Sequence, residues 1–473
     1  MNTPVSLNQT KPENPAQGQL KTDCHASREF LLQTPVVPAQ RVRYLPPDAT
    51  ATALQSAFPA LKTGGEYIVD TAEKLGATFI FGALAVKIDG TGPVSSVPDL
   101  PEKTDLPADR DGIADLAEII ADVAGDGGSL WGLLYEGIFG LCIPDGDAAA
   151  YRKIARTIRE KAHQRIDAPL SVGIAVYPTD HFSRTNVIEN AVKALDHATF
   201  LGTGTTVEFD AVSLNISGDR LYAEGDIEGS IAEFANALRL DPANVNLRNS
   251  LGVCYGILKQ YDRALTEFEA AIRLAPGEIM AVYNYGLVML LTGNLERALE
   301  YFFQAEAVRG DIFEVVFHIG KVYLQLKQPE EGITYFKKSL ALNATAGSAY
   351  RLMGHCHLEM DAETEAVAAF TQAVRLNDAD ADALSTLGHL YDLRNENTEI
   401  ATLFCERSVE IDPDNGDYHY RLGRLYEKAG RLDEAVAAFE KAAAGGPDCQ
   451  TELARLKERL SSETEQSPAA KAG

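Results

Sequence analysis

Apolar positions follow two different rules along this chain, and the change falls near residue 210. In the first part, short apolar runs alternate with stretches of helical spacing. A helical pattern runs from about Asp48 to Leu75, and FIFGALAVKID (Phe79 to Asp89) is a β-rich run bounded by Gly90 and Gly92. The Pro/Asp-rich segment that follows reads as an exposed loop. Ile113, Leu116, Ile119, Ile120 and Val123 then recur at helical spacing up to Ala124. LWGLLYEGIFGLCIP has strand character on both sides of Glu136 and Gly137, the pattern of a hairpin. Asp145 to Arg165 is helical, SVGIAVYP (Ser171 to Pro178) is a buried strand, Asn186 to Phe200 a helix, and Thr205 to Asp210 a last short strand. This order predicts an α+β domain, one sheet with helices packed on it.

After about Ala211 a glycine recurs every 34 residues: Gly218, Gly252, Gly286, Gly320, Gly354 and Gly388, then Gly423 after a step of 35. Sixteen residues after the glycine stands an aromatic, in Phe234, Phe268, Phe302, Phe336 and Phe370, with Phe439 in the last copy. Three residues further comes a small side chain: Ala237, Ala271, Ala305, Ser339, Ala373 and Ala442. Tyr255, Tyr323, Tyr391 and Tyr426 lie three past their glycines, and Pro242, Pro276 and Pro413 stop the second helix of their copies. Two short helices approach closely only where small residues face each other, and the aromatic plugs the gap. These positions resemble the tetratricopeptide repeat, in seven copies, and the resemblance implies an all-α superhelical solenoid that binds other proteins. In the sixth copy one extra residue places Ala401 thirteen after Gly388 and puts Cys405 in the aromatic slot, so a looser joint is expected there. The pattern divides the chain into a disordered tail (1–41), the sheet domain (42–210), the repeats (211–446), a capping helix (447–465) and a disordered end (466–473).

In the first helix of each hairpin, the offsets −3, +1 and +4 from the glycine fall roughly 130° from the stripe that meets the partner helix. The resemblance implies that this second stripe lines a concave groove for peptides. It carries Tyr283, Leu287 and Leu290 in the third copy, Phe317, Lys321 and Leu324 in the fourth, Arg351, His355 and Leu358 in the fifth, and Ser385, His389 and Asp392 in the sixth. A peptide with apolar anchors and one or two acids would complement it. The other reading is that Leu287, Leu290 and Phe317 merely pack along the stack or against a neighbouring domain.

The end of the first part carries a second resemblance. Ser171, Gly173, Ala175, Tyr177 and Pro178, then Ala191, Ala194, Leu195 and Ala198, match the closing strand and helix of a GGDEF domain, the fold of diguanylate cyclases. The family's activity implies a Gly-Gly-Asp-Glu-Phe turn, and the equivalent positions here read Tyr135, Glu136, Gly137, Ile138 and Phe139. Its metal-binding Asp-x-Asp pair reads Lys87, Ile88, Asp89, and a lysine repels Mg²⁺. The resemblance therefore implies a GGDEF-like sheet that has lost catalysis and serves regulation or homodimerisation, with no catalytic residue, cofactor or metal. Asp89 reads as a lone metal ligand or as a solvated acid at a strand end. Glu136 reads as a displaced acid or as a hairpin-tip carboxylate. His181 and His197 have no partner at a recognisable spacing and read as surface or cap histidines.

Net charge is −25 and the pI about 4.8, which excludes affinity built on phosphate-backbone neutralisation, so no nucleic acid is expected. Neither a run of about 18 apolar residues nor the apolar core of a secretory leader is seen, so a cytoplasmic protein without membrane contact is expected, and the resemblance to the GGDEF domain implies a bacterial one. The six cysteines are scattered without a CxxC pair, which points to reduced thiols. The main expectation is a non-enzymatic adaptor. The competing one is a sensor of GTP or cyclic di-GMP, or a weak diguanylate cyclase, signalling through the repeats.

Overall fold

A computed structural model of the chain describes residues 49–90, 110–125, 127–135, 137–166 and 168–466. The tail 1–41, the Pro/Asp loop, Glu136 and the last residues lie outside the described residues. The chain forms two compact units that divide between Glu267 and Phe268.

The first unit opens with α1 (Ala49–Ala57), β1 (Lys62–Thr63) and α2 (Gly64–Lys74), followed by β2 (Phe81–Ile88) and α3 (Arg110–Ala124). The hairpin β3 (Leu130–Tyr135) and β4 (Ile138–Pro144) comes next, then α4 (Ala148–Arg165), β5 (Leu170–Tyr177), α5 (Asn186–Leu201) and β6 (Thr206–Glu208). The single helix expected over 48–75 is thus broken in two. Pro59 and the Gly64-Gly65 pair interrupt it, and Gly64 has φ +52°, outside helical geometry. The sheet order is β1-β3-β4-β2-β5-β6. Strand β2 pairs antiparallel with both β4 and β5, while β1 and β6 add parallel edges. From β2 to β5 the chain follows the βαββαβ order of a ferredoxin-like sheet.

Both faces of the sheet are covered, which explains why β2 and β5 read as continuous apolar runs. Alternation places Leu84, Val86 and Ile88 with Leu116, Ile120 and Ile158 on one side. Ala83 and Ala85 lie with Ala191 and Leu195 on the other. At Gly173 an added Cβ would stand 2.0 Å from the Ala191 carbonyl oxygen, so α5 rests directly on the β5 backbone. No other residue fits there.

Seven helical hairpins follow. Three begin with α6 (Ala211–Ala223) and α7 (Ile227–Leu240), α8 (Val245–Ile257) and α9 (Tyr261–Leu274), and α10 (Ile279–Leu291) and α11 (Leu295–Val308). The rest are α12 (Phe313–Gln325) with α13 (Pro329–Leu342), α14 (Gly347–Glu359) with α15 (Glu363–Leu376), α16 (Ala381–Leu393) with α17 (Thr398–Ile411), and α18 (Gly416–Lys428) with α19 (Leu432–Gly445). Helix α20 (Gln450–Gln466) packs Leu453, Leu456 and Leu460 against the Phe439 cluster of the last hairpin. The periodic glycines are steric requirements. A Cβ at Gly218, Gly320 or Gly354 would lie 2.5, 2.9 or 2.8 Å from the ring of Phe234, Phe336 or Phe370, each fully buried.

The sixth copy departs from the expected loose joint. A Cβ at Gly388 would meet Cys405 Sγ at 2.7 Å and the Ala401 carbonyl oxygen at 2.8 Å, so backbone approaches backbone. Cys405 is fully buried. The volume lost with the aromatic is taken up by closer helices rather than left as a gap.

Candidate partner-binding surface on the repeats

The first helices of hairpins three to seven touch one another in sequence, through an apolar cluster from α12 to α14 (Phe317 and Leu324 with Leu352 and Met353) and through polar contacts at the other steps. From α10 to α12, Tyr283 Oη lies 3.1 Å from His318 Nδ1, whose other neighbour is the Glu314 carbonyl oxygen at 2.8 Å. From α14 to α16, Asp382 accepts from His355 Nε2 at 2.7 Å and from Arg351 Nη1 at 3.0 Å. Arg351 Nε is also 3.0 Å from Asp380. From α16 to α18, Arg421 donates to Ser385 Oγ at 3.0 Å and Thr386 Oγ1 at 3.1 Å, and Lys428 pairs with Asp392 at 2.8 Å.

Burial separates the expected groove residues into two groups. Tyr283, Leu287 and Leu290 are only 1, 0 and 7% exposed, so they form core and offer a partner almost no surface. The cause is local: every residue of α10 from Ala281 to Leu290 is apolar, aromatic, Gly or Asn, and all are buried. For Leu287 and Leu290 the packing alternative is the one that fits. Phe317, Lys321, Leu324, Leu358 and His389 are half-buried and present part of their surface. Phe317 stacks on Phe313 with ring centroids 5.5 Å apart and meets Phe336 at 5.8 Å.

Electrostatics divides the cations in the same way. Burial would raise the Asp382 carboxyl, but the hydrogen bonds and charges of His355 and Arg351 outweigh it and hold it at about 2. Arg351 and His355 are therefore already engaged by the next repeat. Lys321 has no acid partner among the described residues, and burial followed by the Arg351 charge lowers its pKa. Burial, then the charges of Arg421 and Arg424, lowers the His389 imidazole below its ordinary range. In both groups burial is the larger cause and neighbouring guanidinium charge the smaller, and for His389 the nearby Asp392 acts in the opposite direction.

His318, Asp382 and Arg421 escaped the sequence reading. Asp382 had a signal: it lies six before Gly388, which is seven from the +1 position and so on the same helical stripe. Within the first unit, Asp89 accepts a hydrogen bond from the Gly204 amide at 2.6 Å, which ties the turn before β6 to the end of β2. His197 lies 3.3 Å from Ser213 Oγ beside Asp210, the N-cap of α6, in keeping with a cap histidine. His181 contacts Asp180 at 2.9 Å on the surface. At the β3–β4 hairpin Tyr135 is exposed, Gly137 has φ +71° and Phe139 is fully buried, while Ile138 is half-buried.

Tetratricopeptide repeat models match residues 218–256, 258–312, 313–345 and 393–460. Over those residues the hairpins match the tetratricopeptide repeat. Among solved structures, the crystal structure of MamA is 26% identical, with 37% of this chain and 96% of that one covered at a TM-score of 0.31. YrrB, described as a TPR protein with an unusual peptide-binding site, is 20% identical over 42% of this chain and 97% of its own, TM-score 0.34. A tetratricopeptide repeat protein from Parabacteroides merdae is 18% identical, covering 52% and 97%, TM-score 0.42. No curated protein matches the chain. Among the described residues, no helix is long and apolar enough to cross a membrane.

Proposed function

We propose that this chain is a non-enzymatic scaffold whose repeats, over residues 211–446, bind a partner segment that combines apolar anchors with carboxylates. One observation carries the reading: Lys321 stands half-exposed and, among the described residues, without an acid partner beside the half-buried Phe317, on a stripe that continues to His389. A carboxylate would supply the missing counter-charge, and an apolar side chain would complete the cover of Phe317. The first contact site is thus the fourth to sixth copies, displaced from the third. We place the sheet domain at 42–210 as a degenerate GGDEF-like module with a regulatory or dimerising role, in a cytoplasmic bacterial protein. The βαββαβ order supports the likeness, and Lys87 in place of the first acid of the pair supports the loss of metal chemistry.

Peptide-library selection on the full chain tests the partner chemistry. Selected peptides should pair aromatic or aliphatic residues with Asp or Glu, and Phe317→Ala/Lys321→Glu/His389→Glu should weaken them by roughly tenfold or more. Selection of basic peptides, or unchanged binding by the triple variant, would overturn it. Calorimetric titration of GTP and cyclic di-GMP with Mg²⁺ tests the module. Saturable micromolar binding would favour the sensor instead.

A further inference from the structure

The first unit has a cleft of its own, of 480 Å³, within the range of about 300–1,000 Å³ common for small-molecule sites. Helix α4 supplies Arg152, Arg156 and Arg159, α5 supplies His197 and Leu201, and the opposite wall runs along β6 to Asp210. The arginines are spaced by four and three residues, so one face of α4 presents all of them.

The acids in this cleft are already engaged. Glu208 pairs with Arg152 at 2.5 Å, and Asp210 accepts from the Ser213 amide at 2.8 Å and lies 3.4 Å from His197. Arg159 donates to a neutral group, Thr206 Oγ1, at 3.3 Å. Arg156 has no acid partner among the described residues. Two guanidinium groups without an acid partner among the described residues therefore face one concavity, in a chain whose net charge is −25. Leu201 and Val207 add an apolar wall.

We propose that this cleft binds a small phosphorylated molecule, with the phosphate held by Arg156 and Arg159 and the apolar part against Leu201 and Val207. Two guanidinium forks and the Thr206 hydroxyl offer more donors than the two oxygens of a carboxylate accept, whereas a doubly charged phosphate matches both number and charge. This site is independent of the peptide surface on the repeats.

Inorganic pyrophosphate titrated into the full chain by calorimetry at low ionic strength tests the proposal. Saturable one-site binding is expected, weakened roughly tenfold or more in Arg156→Gln/Arg159→Gln. Arg407→Gln, at an exposed arginine of α17 paired with Glu410, should leave it unchanged. Thr206→Val gives a second, milder variant with a severalfold loss, and circular dichroism checks that each variant keeps its helices. No saturable uptake by the parent chain, or a folded double variant that binds as tightly as the parent, overturns the proposal.

Discussion

Each hairpin turns through a residue of positive φ that keeps its own period, in Gly225, Lys259, Gly293, Lys327, Asp361, Asn395 and, one residue later, Gly430, and the longer sixth turn adds a second at Asn397. The side chains share no chemistry, so the period was hidden from any reading by composition. Only the left-handed backbone unites them. At Gly293 an added Cβ meets nothing within 4 Å, so Gly293→Ala isolates the backbone term and should cost about 1–2 kcal/mol in chemical denaturation. At the exposed Lys259, φ +58°, the reverse change to glycine should stabilise by about 0.5 kcal/mol, relief of strain exceeding the added chain entropy. The aromatic plug follows a different rule. Phe336→Ala should cost about 3–5 kcal/mol through the cavity it leaves. Cys405→Phe should destabilise by about 1–3 kcal/mol, because Ala401 and Gly388 have already closed the space a phenyl ring would need. Stabilisation by that substitution would show the sixth joint to be loose after all.

At the scale of elements, the repeat glycines and aromatics were legible because each meets its partner inside one hairpin, at a fixed distance along the chain. The surface was less legible because its partners belong to the next repeat. Arg351 and His355 read as free cations until Asp382, 31 and 27 residues on, is placed beside them. Helix α10 misled for another reason: with an apolar residue at nearly every position, it has no stripe that distinguishes core from groove. The buried contact between α10 and α12 also sets a pH dependence. Burial, partly offset by the Glu314 carbonyl, pushes the His318 pKa down from 6.5 to about 4. The folded state therefore binds fewer protons than the unfolded chain between those values. Stability should be full above about pH 6.5 and fall on acidification toward pH 4, by an amount on the order of 3 kcal/mol. His318→Gln should flatten that slope in denaturation curves measured across the interval, and an unchanged slope would assign it to other groups.

At the scale of the whole molecule, within each unit the repeats make contacts mainly with their sequence neighbours, so the stability of each is close to a sum of hairpin and interface contributions. The last hairpin then depends on α20 for its outer cover. Leu456 and Cys449 are fully buried there, in the same cluster as Leu432 and Phe439. The opening helices show the contrasting case, where α5 meets the first hairpin through ion pairs: Lys193 with Glu233 at 2.8 Å and Asp196 with Arg220 at 2.7 Å. Removing residues 450–473 would return to water the apolar surface that Leu453, Leu456 and Leu460 cover, about 1.5–3 kcal/mol for each such side chain fully buried. If contributions propagate only between neighbours, amide hydrogen exchange should accelerate in α18 and α19, less in α16 and α17, and stay at the parent rate in α6 and α7. A uniform acceleration along all seven hairpins would instead show that the repeats unfold as one cooperative body, and that the cap holds all of them.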